Sequence, residues 1–113
     1  MTINPLEIAK RARSIMQDKK GDNIIIYDVR KISSVADYYV VVTGNSTPHL
    51  KALLEDVRHQ LKKEGVESHR RSGEPLSGWL LLDYLNTVIH IFSKEIRDYY
   101  AIEDLWSKAP RIA

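Results

Sequence analysis

The chain has 113 residues, 43% hydrophobic and 28% charged, proportions ordinary for one globular domain that buries about two-thirds of its unfolded surface. A net charge of +2 from 17 basic and 15 acidic residues is too small to make nucleic-acid binding the default, and the lack of cysteine excludes disulfides and thiolate chemistry. No apolar run approaches the roughly 20 residues of a membrane span, and Met1-Thr2-Ile3-Asn4-Pro5 lacks the basic-then-apolar order of a secretory signal, so a cytoplasmic protein with no membrane partner is expected.

Asn4 as N-cap, Pro5 at the first helical position and Glu7 as capping-box acid open a helix in which Ile8, Ala12, Ile15 and Met16 recur at helical spacing until Gly21. Lys10, Arg13 and Lys20 take its water-facing side. The β-branched run at 24–29 reads as a strand, and after an irregular stretch through Ser33 and Ser34 residues 38–43 read as another. Both runs are nearly all apolar, which places them inside a sheet. A turn at 44–48 leads into a helix capped by Ser46 or Thr47, with Leu50, Leu53, Leu54, Val57 and Leu61 as its buried stripe and Gly65 as its end. A weak strand at 66–71 and a loop at 72–78, mobile by composition, follow.

Residues 79–84 and 87–92 form the most informative unit. If Leu85-Asn86 is a two-residue turn, Tyr84 faces Thr87, Asp83 faces Val88, Leu82 faces Ile89, Leu81 faces His90, Leu80 faces Ile91 and Trp79 faces Phe92. Alternation puts Leu80, Leu82, Tyr84, Ile89 and Ile91 on a core face, and Trp79, Leu81, Asp83, Val88, His90 and Phe92 on the other. That second face mixes large apolar groups with an acid and a histidine. Either it is a partner-binding patch, or the chain's own last helix covers it with Asp83 and His90 paired to each other. Ser93 caps that last helix, in which Ile96, Tyr99 and Tyr100 share a face; a short turn with Leu105 and Trp106 ends before Pro110. Docking onto the core is expected of Tyr99, Tyr100 and Trp106. Together the elements predict an α/β fold over residues 1–113 as a single domain, with a mixed sheet of about five strands and flanking helices.

Local chemistry is sparse. His49, His59, His69 and His90 show no metal-ligand spacing, and no phosphate-binding glycine motif occurs, so neither a metal nor a cofactor is expected. Ser46 beside His49 resembles a nucleophile and base, but a helix cap explains the serine and no orienting acid is present. Lys62, Lys63, His69, Arg70 and Arg71 form the densest basic cluster, without interleaved aromatics to stack bases, so direct RNA contact is at most secondary. Residues 1–73 carry 13 basic against 9 acidic groups and residues 74–113 carry 4 against 6, so the C-terminal third suits a basic partner or is ordinary solvated charge.

Three strings carry a family likeness: Ala36-Asp37-Tyr38-Tyr39-Val40-Val41-Val42-Thr43-Gly44-Asn45-Ser46; Trp79-Leu80-Leu81-Leu82-Asp83-Tyr84 with Val88-Ile89-His90-Ile91-Phe92; and Arg97-Asp98-Tyr99-Tyr100 with Ile102-Glu103-Asp104-Leu105-Trp106. In this order and spacing they resemble the ribosomal silencing factor family, also called Iojap-like. The resemblance implies a nucleotidyltransferase-like fold without enzymatic activity. It also implies binding to ribosomal protein fourteen of the large subunit, steric blocking of small-subunit joining under nutrient limitation, and a homodimer when free. Carried over residue by residue, it makes Trp79, Leu80 and Asp83 partner contacts, with Leu81 and His90 beside them on the hairpin. Asp37, His90, Arg97 and Tyr100 match motif positions that can be structural, and Tyr84, Arg97 and Tyr100 are candidate secondary contacts.

Two departures from the family pattern stand out. Leu85-Asn86 replaces a Gly-Asp turn, which strains a two-residue hairpin, and Pro75 after Glu74 replaces a glycine and stiffens the loop before Trp79. The alternatives to the silencing role are a nucleotidyltransferase-like enzyme and a nonspecific RNA-binding domain. The first needs clustered carboxylates for magnesium, whereas Asp28, Asp37 and Asp83 stand singly on different segments.

Overall fold

A computed structural model describes residues 4–113, so Met1, Thr2 and Ile3 of the opening stretch lie outside the described residues. In chain order the elements are α1 (Pro5–Asp18), β1 (Asp22–Asp28), β2 (Tyr38–Gly44), α2 (Thr47–Lys63), β3 (Arg70–Ser72), a 3-10 turn (Pro75–Ser77), β4 (Trp79–Asp83), β5 (Thr87–Ser93), α3 (Lys94–Tyr99), α4 (Ile102–Leu105) and β6 (Arg111–Ile112). The strands form one mixed sheet in the order β3-β4-β5-β2-β1-β6. Among the described residues only β2 and β5 pair in parallel. Six strands replace the expected five or so, because two residues of β6, paired with Ile26 and Tyr27 of β1, carry no readable period.

Both long helices start as their sequences direct. The side-chain oxygen of Asn4 accepts the Glu7 amide at 2.9 Å, and Ser46 Oγ accepts the His49 amide at 3.2 Å. At the end of α2, Gly65 has φ +86, its amide donates to the Lys62 carbonyl, and that of Val66 to the Leu61 carbonyl. This double closure is a Schellman motif. It explains why the strand expected at 66–71 begins only at Arg70: Val66 belongs to the helix end and packs on the core. After α1 the left-handed position is Lys20, with φ 62. Gly21 is required by packing instead, since a Cβ there would lie 2.7 Å from Val42.

Helices α1 and α2 cover one face of the sheet. Their stripes, including Ile8, Ala12, Ile15, Leu53, Val57 and Leu61, bury against Val40, Val42, Leu80, Leu82, Ile89 and Ile91. Burial of this kind contributes about 1.5–3 kcal/mol per large side chain. The other face is covered in part by the C-terminal segment, where Ile102 and Ala109 close over Tyr27, Val29, Val41 and Phe92.

The hairpin register holds at every pair from Trp79 opposite Phe92 to Asp83 opposite Val88. Tyr84 and Thr87 close it, the Tyr84 amide donating to the Thr87 carbonyl at 2.9 Å. Leu85 sits at φ 70, and the Asn86 amide donates to the Tyr84 carbonyl at 3.0 Å. That is a γ-turn of the strained, positive-φ form. Asp83 supports it, its Oδ1 accepting the Leu85 amide at 2.7 Å.

Candidate functional site

Strand alternation divides the residues proposed for partner binding. Leu80 and Tyr84 point beneath the helices and are only 3% and 6% exposed, so neither is available as a direct contact. Burial agrees with alternation, which puts Leu80 in the core, whereas the family resemblance brings it to the partner.

The second face is neither wholly open nor wholly covered. At the Trp79 and Phe92 end, the C-terminal segment lies over it: the Trp106 ring is 5.8 Å from Tyr27, 4.9 Å from Tyr39 and 5.2 Å from His90. At the hairpin-turn end the face is open. Tyr39, Leu81, Val88 and His90 line a trough of about 530 Å³ together with Val35, Leu85, Arg70 and Asp83. Val35 is 78% exposed and Leu85 58%, so apolar side chains of the lining are open to solvent, which marks an interaction site. Trp79 is half-buried and lies outside that lining. Tyr39 enters because β2 lies parallel to β5 with Tyr39 opposite Val88, a pairing that local sequence does not reveal.

Asp83 and His90 do not pair with each other. Besides the turn amide, Asp83 holds Arg70, Oδ2 to Nε at 3.4 Å. His90 Nδ1 accepts the indole N–H of Trp79 at 3.3 Å. Only 7% exposed, His90 is ringed by Tyr39, Trp79, Phe92 and Trp106. Burial pushes its imidazole down to about 4, so the ring is neutral at physiological pH.

Arg97 is structural. It is 3% exposed, donates from Nε to Glu103 at 2.6 Å, and from one terminal nitrogen to the Asn23 carbonyl at 2.9 Å and to Thr43 Oγ1 at 2.7 Å. One guanidinium thus ties α3 and α4 to β1 and β2. Of the three aromatics expected to dock, Trp106 does and Tyr99, 79% exposed, does not. Tyr100 is half-exposed with its ring 5.9 Å from Trp79. Asp37 joins the start of β2 to the hairpin turn, its amide donating to the Asn86 carbonyl at 2.7 Å.

The remaining polar candidates are also committed. The basic cluster is offset by acids: Arg71 and Arg58 both reach Glu55, Arg70 reaches Asp83, and Lys62 lies 4.0 Å from Glu67. His49 bridges two helix ends, with Nδ1 accepting the Asn45 amide and Nε2 set against the Lys19 carbonyl, both at 2.8 Å. Ser46 Oγ is its helix cap, so the two do not form a nucleophile and base. Among the described residues no three His, Asp or Glu side chains converge as a metal site, and no helix is long and apolar enough to cross a membrane.

A family model described as "Ribosomal silencing factor during starvation" matches residues 2–113. The chain is 33% identical over 108 residues to the ribosomal silencing factor RsfS of Bacillus subtilis, covering 96% of this chain and 92% of that one. It is 38% identical over 100 residues to that of Chromobacterium violaceum, covering 88% and 82%. An X-ray structure of a Chromobacterium violaceum protein superposes with a TM-score of 0.87 at 36% identity, over 93% of this chain and 88% of that one. With the α/β fold, the three ordered motifs and the full-length family match in agreement, the chain belongs to the ribosomal silencing factor family.

Proposed function

We propose that this chain binds ribosomal protein fourteen of the large subunit through the open half of its second sheet face, and that the bound domain keeps the small subunit from joining. The observation that carries this reading is the apolar, solvent-open trough lined by Tyr39, Leu81, Val88 and Asp83 in a member of a ribosome-silencing family. Trp79 serves as the anchor, Leu81, Tyr39 and Val88 as the apolar centre, and Asp83 as the rim charge that meets a basic partner. No bond is made or broken, and translation is damped under nutrient limitation by occupancy alone. In the free protein a second copy covers the same trough, giving a homodimer, and the site of action is the cytoplasm.

The enzyme and naked-RNA readings draw no support from the side chains that would serve them, since Ser46 and His49 are helix caps and bridges and the arginines of the basic cluster are paired with acids. The test is sedimentation with separated ribosomal subunits. Cosedimentation with the large subunit alone and loss of subunit joining are expected. Truncating Trp79 to alanine should weaken binding by about 2 kcal/mol or more; a folded Trp79→Ala protein that binds as tightly as wild type refutes the assignment.

A further inference from the structure

The indole plane of Trp79 is set by packing, with the Phe92 ring 4.8 Å and the Tyr100 ring 5.9 Å away. A flip about the Cβ–Cγ bond would carry the benzo ring to the opposite side and change those contacts, so packing itself favours one flip. One directional contact adds to it: the Trp79 N–H donates to His90 Nδ1. An indole nitrogen only donates, so Nδ1 is the accepting nitrogen and the proton of the neutral imidazole sits on Nε2. Nε2 is buried without a partner. A buried, unpaired N–H is destabilising, and a phenyl ring would fill the space among Tyr39, Phe92 and Trp106 without that cost. Packing therefore does not account for an imidazole here. What it supplies, and a phenyl cannot, is the acceptor.

We propose that His90 is a positioning residue for Trp79, its Nδ1 lone pair holding the indole firmly in the flip that packing favours and so fixing the edge that a partner meets. This rests on the reading of Trp79 as a partner contact. His90 is among the residues lining the trough, yet at 7% exposure its effect on binding runs through the indole. Without the acceptor the indole is held by packing alone, and binding must order it further, which weakens affinity about fivefold to tenfold.

A double-mutant cycle tests this with separated large ribosomal subunits as the probe, each variant first checked for a cooperative thermal melt. His90→Phe should bind about fivefold to tenfold more weakly than wild type and cause no further loss in a Trp79→Phe background. His90→Asn, which keeps an acceptor near the Nδ1 position, should recover affinity. Equal losses in both backgrounds, or no loss for His90→Phe, overturn the proposal. Failure of the parent reading is distinct, because it shows as unchanged binding by Trp79→Ala. A readout without ribosomes is the Trp79 indole N–H resonance, expected to be single and hydrogen-bonded in wild type and to shift and broaden in His90→Phe. An unchanged resonance would also overturn the proposal.

Discussion

Acid should loosen this fold through His90 before it does so through the carboxylates. In the folded chain the imidazole is held at about 4 by burial, against an ordinary value of 6.5. Between those values the unfolded chain binds the extra proton and the folded chain does not. Stability is therefore fully present above pH 6.5 and is lost as pH falls toward 4, by about 3 kcal/mol in all at about 1.4 kcal/mol per pH unit of depression. The groups around the ring offer no compensating charge. Tyr39 from β2, Trp79 from β4, Phe92 from β5 and Trp106 just after α4 are neutral, Asp83 is held by Leu85 and Arg70, and Glu103 of α4 by Arg97. The assay is urea unfolding followed by tryptophan fluorescence between pH 7 and pH 5, a window above the carboxylates. Wild type should lose about 2 kcal/mol over that window, or about 1 M in the urea midpoint. His90→Phe should lose distinctly less. Identical slopes for the two proteins would refute the buried, neutral imidazole.

Leu80 and Leu81 are neighbours with opposite duties. Leu80→Ala should cost about 2–5 kcal/mol of stability, measured by denaturant titration, because it empties core under α2; Leu81→Glu should leave the melt within a few degrees yet abolish cosedimentation with large subunits. Arg97→Met should remove the buried tie between α3, α4 and the sheet, at about 2 kcal/mol after discounting for the partial exposure of Glu103, with faster hydrogen exchange at residues 102–106 as its signature. Leu85→Gly should raise stability by about 0.5–1 kcal/mol, since glycine accepts the positive φ that leucine resists. A drop in melting temperature would show that the rim contacts of Leu85 outweigh its backbone strain.

The helices, their caps and the hairpin register were legible because each is decided by groups close in sequence. Asn4 and Ser46 cap amides three residues ahead, and a two-residue turn dictates every pair from Tyr84 and Thr87 back to Trp79 and Phe92. Alternation then places Leu80, Leu82, Tyr84, Ile89 and Ile91 under the helices, as the structure has them. It could not say what lies over the opposite face. That depends on β2 entering parallel beside β5, which brings Tyr39 to Val88, and on a segment anchored by Arg97 reaching Asn23 and Thr43, more than fifty residues away. Distance in sequence also hid β6, and contacts across neighbouring strands and helices hid the Glu55 partner of Arg71 and the separate partners of Asp83 and His90. By itself, then, the sequence determined the local elements, the core face of the hairpin and the family, through periodicity, capping and motif order. Tertiary structure alone decided that half of the second face is closed by the C-terminal segment and half left open at the hairpin turn, because only long-range packing determines which apolar surface is covered.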